Sequence, residues 1–145
     1  ETDNILVLRS FGKFYGLAGL RLGFAVGAQS HLDNLAEMMG SWAVSGPALA
    51  VGRFALTDRI WTTQMTTRLV TESVQLDQLA TVAGWQIVGG TSLYRLYQMG
   101  DAAAWQDHLA THQIWVRAFS YNANWLRLGL PPQTGWARLE QALRA

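Results

Sequence analysis

Four glycines, at positions 12, 16, 19 and 23, fall between two short apolar runs, Ile5–Leu8 and Leu22–Val26. Each glycine costs a helix about 1 kcal/mol relative to alanine, so this stretch cannot be helical. It reads instead as a loop shaped for close backbone approach. The run Ile5-Leu6-Val7-Leu8 is continuous and apolar, as a buried parallel strand would be. Such a strand needs a neighbour on each side, yet it begins almost at the first residue. The chain is therefore expected to be the later part of something longer.

Beyond this loop the hydrophobic period changes. Gln29–Met39 carries Leu32, Leu35, Ala36 and Met39 on one helix face. Ser45-Gly46-Pro47 is a cap followed by proline in the first turn, predicting a helix to about Leu56. Thr57-Asp58 caps a longer helix with Trp61, Met65, Leu69, Leu76, Leu79 and Ala83 on one stripe, ended by Gly84. Short β-type segments follow at Trp85–Val88, Leu93–Gln98, Ile114–Ala118 and Trp125–Leu128. Between them Asp101 caps a helix over Ala102–Thr111, and Thr134 is expected to cap a last helix to Ala145. Helices followed by strands with a covering helix or two make an α+β unit.

Composition excludes several functions. The 145 residues carry 11 basic and 10 acidic side chains, scattered, with no basic run, so capture of nucleic acid or an anionic membrane surface has no support. No cysteine is present, which removes disulfides and thiolate metal sites. No signal peptide or 18-residue apolar span is recognisable, and a cytoplasmic location is expected. His31 stands alone; His108 and His112 share a helix face but lack a third ligand, so no metal is expected.

Chemistry concentrates in the glycine-rich loop. Ser10, Lys13 and Arg21 place a hydroxyl, an amine and a guanidinium just after a strand, where open α/β sheets bind ligands. A guanidinium presents a planar fork to phosphate. An amine in a dry pocket walled by Phe11, Phe14 and Tyr15 would be a nucleophile able to form a Schiff base. On spacing alone, Lys13 serves equally as an ordinary loop lysine and Arg21 as a surface ion-pair partner. The segment is not a Walker loop, because no Gly-Lys-Ser/Thr ending is present.

The segment SFGKFYGLAGLRLGFAVG resembles the lysine segment of class I/II aminotransferases, the fold-type-I pyridoxal-phosphate enzymes. Its closest resemblance is to the histidinol-phosphate aminotransferase branch and the cobalamin-pathway threonine-phosphate decarboxylases. The resemblance implies pyridoxal 5'-phosphate as cofactor, held as a Schiff base on Lys13, with Ser10 and Arg21 binding its phosphate. Downstream, IWVRAF and NWLRLGLP resemble the family's closing strands. There Arg127 would grip the substrate carboxylate and Arg117 would lie near a second anionic group; a strand-edge surface arginine is the other reading of Arg117. The stretch SWAVSGPALAVGRFALTD resembles the cobalamin branch, which would put Trp42–Pro47 near the active-site mouth, although Trp42 could equally be packing.

The resemblance implies an α+β chain from an α/β parent: residues 1–28 ending a large cofactor domain, with one or two remnant strands, and residues 29–145 forming the C-terminal small domain. It also implies a homodimer acting on a small phosphorylated amino acid. Threonine-phosphate decarboxylation is the expected activity, with a phosphate-ester aminotransferase as the alternative. The isolated chain lacks the aspartate that protonates the cofactor ring, so it is expected to be inactive alone or to serve as a non-catalytic association module.

Overall fold

The computed structural model describes residues 4–144, so the sequence readings at residues 1–3 and at Ala145 lie outside it. Two compact units make up the chain, Glu1–Trp61 and Thr62–Ala145, each with a core of its own.

In the first unit, β1 (Val7–Ser10) pairs antiparallel with β2 (Gly23–Val26), Val7 opposite Val26 and Ser10 opposite Gly23. The expectation of a buried parallel strand is corrected here. All four β1 residues are exposed, because in this two-stranded sheet the sole partner of β1 is β2. A Cβ at Gly23 would stand 2.7 Å from the Arg9 carbonyl oxygen, so the close pairing needs that glycine. Helix α1 spans Gln29–Met39. Helix α2 (Gly46–Thr57) starts as its cap predicts: extended Ser45 accepts the Ala48 N–H on its Oγ at 3.3 Å, with Pro47 in the first turn. Gly52 is buried in α2, where a Cβ would meet Leu22 Cδ2 at 2.2 Å and Phe11 Cζ at 3.6 Å. The missing side chain thus lets α2 close onto the glycine-rich loop. Phe11, Leu22 and Ala48 form this small core, flanked by Tyr15, Leu17, Leu20, Val44 and Ala55.

Helix α3 (Arg59–Val82) begins in the first unit and supplies the second with Leu69, Ser73, Leu76 and Ala80 as its buried stripe. Ser73 was not legible as core; its hydroxyl donates to the Val70 carbonyl at 2.8 Å and so is tolerated there. After Gly84, at φ 82°, come β3 (Gln86–Gly90) and β4 (Tyr94–Gln98). Helix α4 (Ala102–Thr111) is capped by Asp101, whose Oδ1 accepts the Ala104 N–H at 2.9 Å. Strands β5 (Arg117–Phe119) and β6 (Asn122–Gly129) complete an antiparallel sheet of order β3-β4-β6-β5. Tyr97, Leu126 and Leu128 from this sheet pack with Leu76, Ala80, Leu109 and Leu139 in the larger core.

Helix α5 (Trp136–Leu143) starts differently from expectation. Thr134 does not cap it; the residue lies in a tight turn, Gln133–Gly135, closed by the Gly135 N–H on the Pro132 carbonyl at 2.7 Å. The Pro131-Pro132 pair sets that turn first and leaves Gly135 at the cap position without a side chain. Helices and an antiparallel sheet together give the expected α+β fold. Among the described residues no helix is long and apolar enough to cross a membrane.

Candidate active site

One candidate site is the loop between β1 and β2. The Ser10 Oγ accepts the Gly12 N–H at 2.9 Å, which folds the chain back immediately after the strand. A Cβ at Gly12 would lie 3.2 Å from that oxygen and 3.3 Å from Ala18 Cα, so the fold-back depends on glycine. Gly16, at φ 68°, turns the chain again, its N–H donating to the Lys13 carbonyl at 3.0 Å. Arg21 closes a short turn, Ala18–Leu20, in the left-handed conformation at φ 55°, and its Nη1 donates to the Ala18 carbonyl at 3.2 Å. A non-glycine residue held at positive φ is strained and marks a position fixed by its surroundings.

Ser10 and Arg21 line one open hollow of about 370 Å³ with Gly12, Gly23 and Leu35. No carboxylate lines that hollow, so Ser10 and Arg21, with Arg9 beside them, share it without a competing negative charge. This donor set fits a phosphate group. Lys13 lies between them on the same loop and is exposed. The dry pocket expected around its amine is corrected. Phe11 stacks on Tyr15 at 4.8 Å between centroids, Tyr15 stacks on Trp61 at 5.6 Å, and Phe14 meets both edge-on. The rings satisfy one another rather than wall the lysine.

A second candidate site belongs to the other unit. Arg117 on β5 and Arg127 on β6 are directly opposite in the sheet register. Like charges directly opposite destabilise a strand pair, so the sheet carries them at a cost. Each guanidinium lies over its own aromatic ring: Arg127 Cζ is 4.7 Å from the Tyr94 centroid, and Arg117 Cζ is 5.8 Å from that of Phe119. Both arginines line a hollow of about 420 Å³ with Tyr94, Gln106 and Trp115, again without a carboxylate. The Gln106 side chain is anchored by donating its Nε2 to the Val116 carbonyl at 3.0 Å. The structure thus brings Arg117 and Arg127 together, and it keeps Ser10, Lys13 and Arg21 on one loop of the other unit.

Sequence reasoning missed two features here. One is the Tyr94 ring over Arg127. The other is Asp77 on α3, which takes Arg95 Nε at 2.9 Å, Arg95 Nη2 at 2.6 Å and the Tyr97 hydroxyl at 2.8 Å. The only signal was alternation: in Leu93–Gln98 the period of two puts Tyr94 on one face and Arg95 and Tyr97 together on the other. Of the remaining residues singled out, Trp42 is 96% exposed at φ 65°, so it is not packing within its unit. His108 donates its Nε2–H to the Ala142 carbonyl at 2.9 Å, with the His112 ring 5.0 Å away.

The family described as aminotransferase class I and II matches residues 1–145. A threonine-phosphate decarboxylase of Pseudomonas aeruginosa is 46% identical over 96% of this chain and 42% of its own length. One from a Sinorhizobium species is 41% identical over 97% of this chain and 42% of its own. The chain thus spans 42% of the length of these relatives. A histidinol-phosphate aminotransferase from Sinorhizobium meliloti, solved in complex with pyridoxal-5'-phosphate, shares the fold with a TM-score of 0.86 at 19% identity, over 99% of this chain and 42% of that one.

Proposed function

Because this chain belongs to the class I and II aminotransferases, we propose that it is the C-terminal part of a pyridoxal-phosphate-dependent L-threonine-O-3-phosphate decarboxylase of cobalamin biosynthesis. The observation that carries this reading is the opposed pair Arg117 and Arg127 around a hollow lined by no carboxylate. Two adjacent cations suit a substrate with two anionic groups, a carboxylate and a phosphate ester. Identities of 46% and 41% to two decarboxylases support threonine phosphate as that substrate.

On this reading residues 1–28 end the cofactor-binding large domain and residues 29–145 form the small domain. The Lys13 amine would hold pyridoxal phosphate, and Ser10 with Arg21 would bind its phosphate, as the hollow they share allows. When bound, the cofactor supplies an electron sink for a bond broken at the substrate's Cα. The chain's own residues bind and orient. Arg127 takes the carboxylate with its planar fork, and Arg117 takes the phosphate ester. By holding the carboxylate, Arg127 would orient the substrate's Cα bonds and so bear on whether carbon dioxide or a proton is lost. The whole protein would act as a cytoplasmic homodimer, and the 145-residue chain alone would be inactive.

The test is an assay of the full-length protein with threonine phosphate. Carbon dioxide and the phosphorylated amino alcohol are expected as products; a keto acid without carbon dioxide would move the assignment to a phosphate-ester aminotransferase. Borohydride trapping checks the cofactor separately. It should leave a pyridoxyl adduct on the peptide holding Lys13, the one lysine of this chain. Lys13→Ala and Lys13→Arg should both abolish the adduct on that peptide, because a guanidinium stays protonated and cannot attack an aldehyde. A strong adduct elsewhere and none at Lys13 would refute the loop's assignment.

A further inference from the structure

An unusual number of constraints converge on Tyr94, a half-buried residue on the sheet face away from the larger core. The turn before it is closed twice. The Thr91 N–H donates to the Tyr94 carbonyl at 2.8 Å, and the Thr91 Oγ1 accepts the Leu93 and Tyr94 N–H groups at 3.2 and 3.3 Å. Gly90 allows this turn, since a Cβ there would stand 2.2 Å from the Tyr94 oxygen. On the following residue, Arg95 is locked to Asp77 by two hydrogen bonds. Across the sheet Tyr94 faces Gly129, and a Cβ at Gly129 would lie 3.7 Å from Tyr94 Cε1. The phenol ring therefore lies alongside Gly129, at ordinary contact distance from where a Cβ would stand. From there it reaches diagonally to Arg127, whose Cζ stands 4.7 Å from the ring centroid.

The physical need for such bracing is clear. Arg127 is paired directly with Arg117, and two like charges would push their flexible side chains apart. An aromatic face attracts a guanidinium and restricts its rotamers while leaving the N–H donors along the fork's edge available. Binding a carboxylate then costs less side-chain ordering than it would with a mobile arginine.

We propose that Tyr94 is a positioning residue whose ring pre-orients the Arg127 guanidinium and so sets affinity for the substrate's carboxylate specifically. This rests on the reading of Arg127 as the carboxylate site. The ring, not the hydroxyl, does this work, so Tyr94→Phe should behave as the parent and Tyr94→Leu should not.

The test compares two ligands in the full-length protein: threonine phosphate, and the phosphorylated amino alcohol that lacks only the carboxylate. Dissociation constants are measured by calorimetry in a Lys13→Ala background, where turnover does not consume the ligand, and KM is measured with Lys13 intact. Tyr94→Leu should weaken threonine phosphate about tenfold in both measurements, and leave the amino alcohol within about twofold. Tyr94→Phe should leave both ligands within about twofold. Equal weakening of both ligands by Tyr94→Leu would mean general packing and overturn the proposal, as would a tenfold loss in Tyr94→Phe. Arg127→Ala separates the two claims. If it weakens threonine phosphate and Tyr94→Leu does not, the bracing role alone fails; if Arg127→Ala has no effect, the carboxylate reading fails and the bracing role with it.

Discussion

Asp77 serves two donors at once, the Arg95 guanidinium and the Tyr97 hydroxyl, so removing the carboxylate strands both. Tyr97 is fully buried. Burial pushes its phenol well above the ordinary tyrosine value, and the hydrogen bond to Asp77 and the carboxylate's charge push the same way, while Arg95 opposes. A folded-state value raised above the unfolded one, about 10, contributes stability that is complete below about pH 10. That stability is lost progressively as pH climbs above it. Tyr97→Phe should cost about 1 kcal/mol near neutrality, the net worth of one hydrogen bond, and should flatten the loss of stability above pH 10. Asp77→Ala should cost about 2–3 kcal/mol, since it strands a half-buried guanidinium and a buried hydroxyl together. Urea midpoints taken across the alkaline range decide both; a Phe variant with the same alkaline slope as the parent would show that Tyr97 is not the titrating group.

Among the elements, the β3–β4 turn is the one whose backbone tolerates least. Gly89 and Gly90 sit at φ 157° and 144°, and the register shifts between Ile87 and Gly89. Gly90→Ala would drive a Cβ into the Tyr94 carbonyl and into Arg95 Cα, 2.9 Å away, from a conformation L-residues avoid. Backbone cannot yield as a side-chain tip can, so a cost of about 2–3 kcal/mol is expected, measured by denaturation. Gly52→Ala should be milder, because its nearest obstacle is the end of the Leu22 side chain and alanine improves helix propensity. This contrast marks the limit of sequence reading. Helices α1, α2 and α4 were legible because their caps and periodicity are local: Ser45 and Asp101 announce their helices from three residues away. Ser10, Lys13 and Arg21 were legible because the loop is contiguous. The strands were placed only roughly. β6 begins at Asn122 rather than Trp125, and β5 at Arg117 rather than Ile114. Strand ends are set by partners elsewhere in the chain, and so are the Arg117–Arg127 pairing and the Tyr94 ring. Exposure of Lys13 was misjudged for the same reason, since the Phe14 and Tyr15 rings are claimed by Trp61, 46 positions after Tyr15.

At the scale of the whole molecule, the division at Trp61 and Thr62 has a thermodynamic consequence. Among the described residues the first unit has three fully packed core residues, Phe11, Leu22 and Ala48, whereas the second has thirteen, from Leu76 to Leu143. Burial of apolar surface scales with such cores, at about 25 cal/mol per Å², so the two units differ in stability by more than any surface interaction could redress. The first unit also leaves Ile5, Leu6, Val7, Leu8, Phe24 and Val26 substantially exposed, apolar area only partly used in its folding in this chain. Unfolding of the 145-residue chain should therefore occur in two steps, the first unit melting early and the second late. Amides of β1 and β2 should exchange with solvent at low denaturant, while those shared by β4 and β6 should persist to the second transition. Core truncations assign the steps. Phe11→Ala should abolish or advance the early transition alone, and Leu126→Ala should lower the late one by about 2–5 kcal/mol. A single transition, shifted equally by both substitutions and reported identically by both sets of amides, would contradict the division. In the full-length protein proposed above, that same apolar face would be covered by the rest of the large domain, and the early transition should merge with a later one.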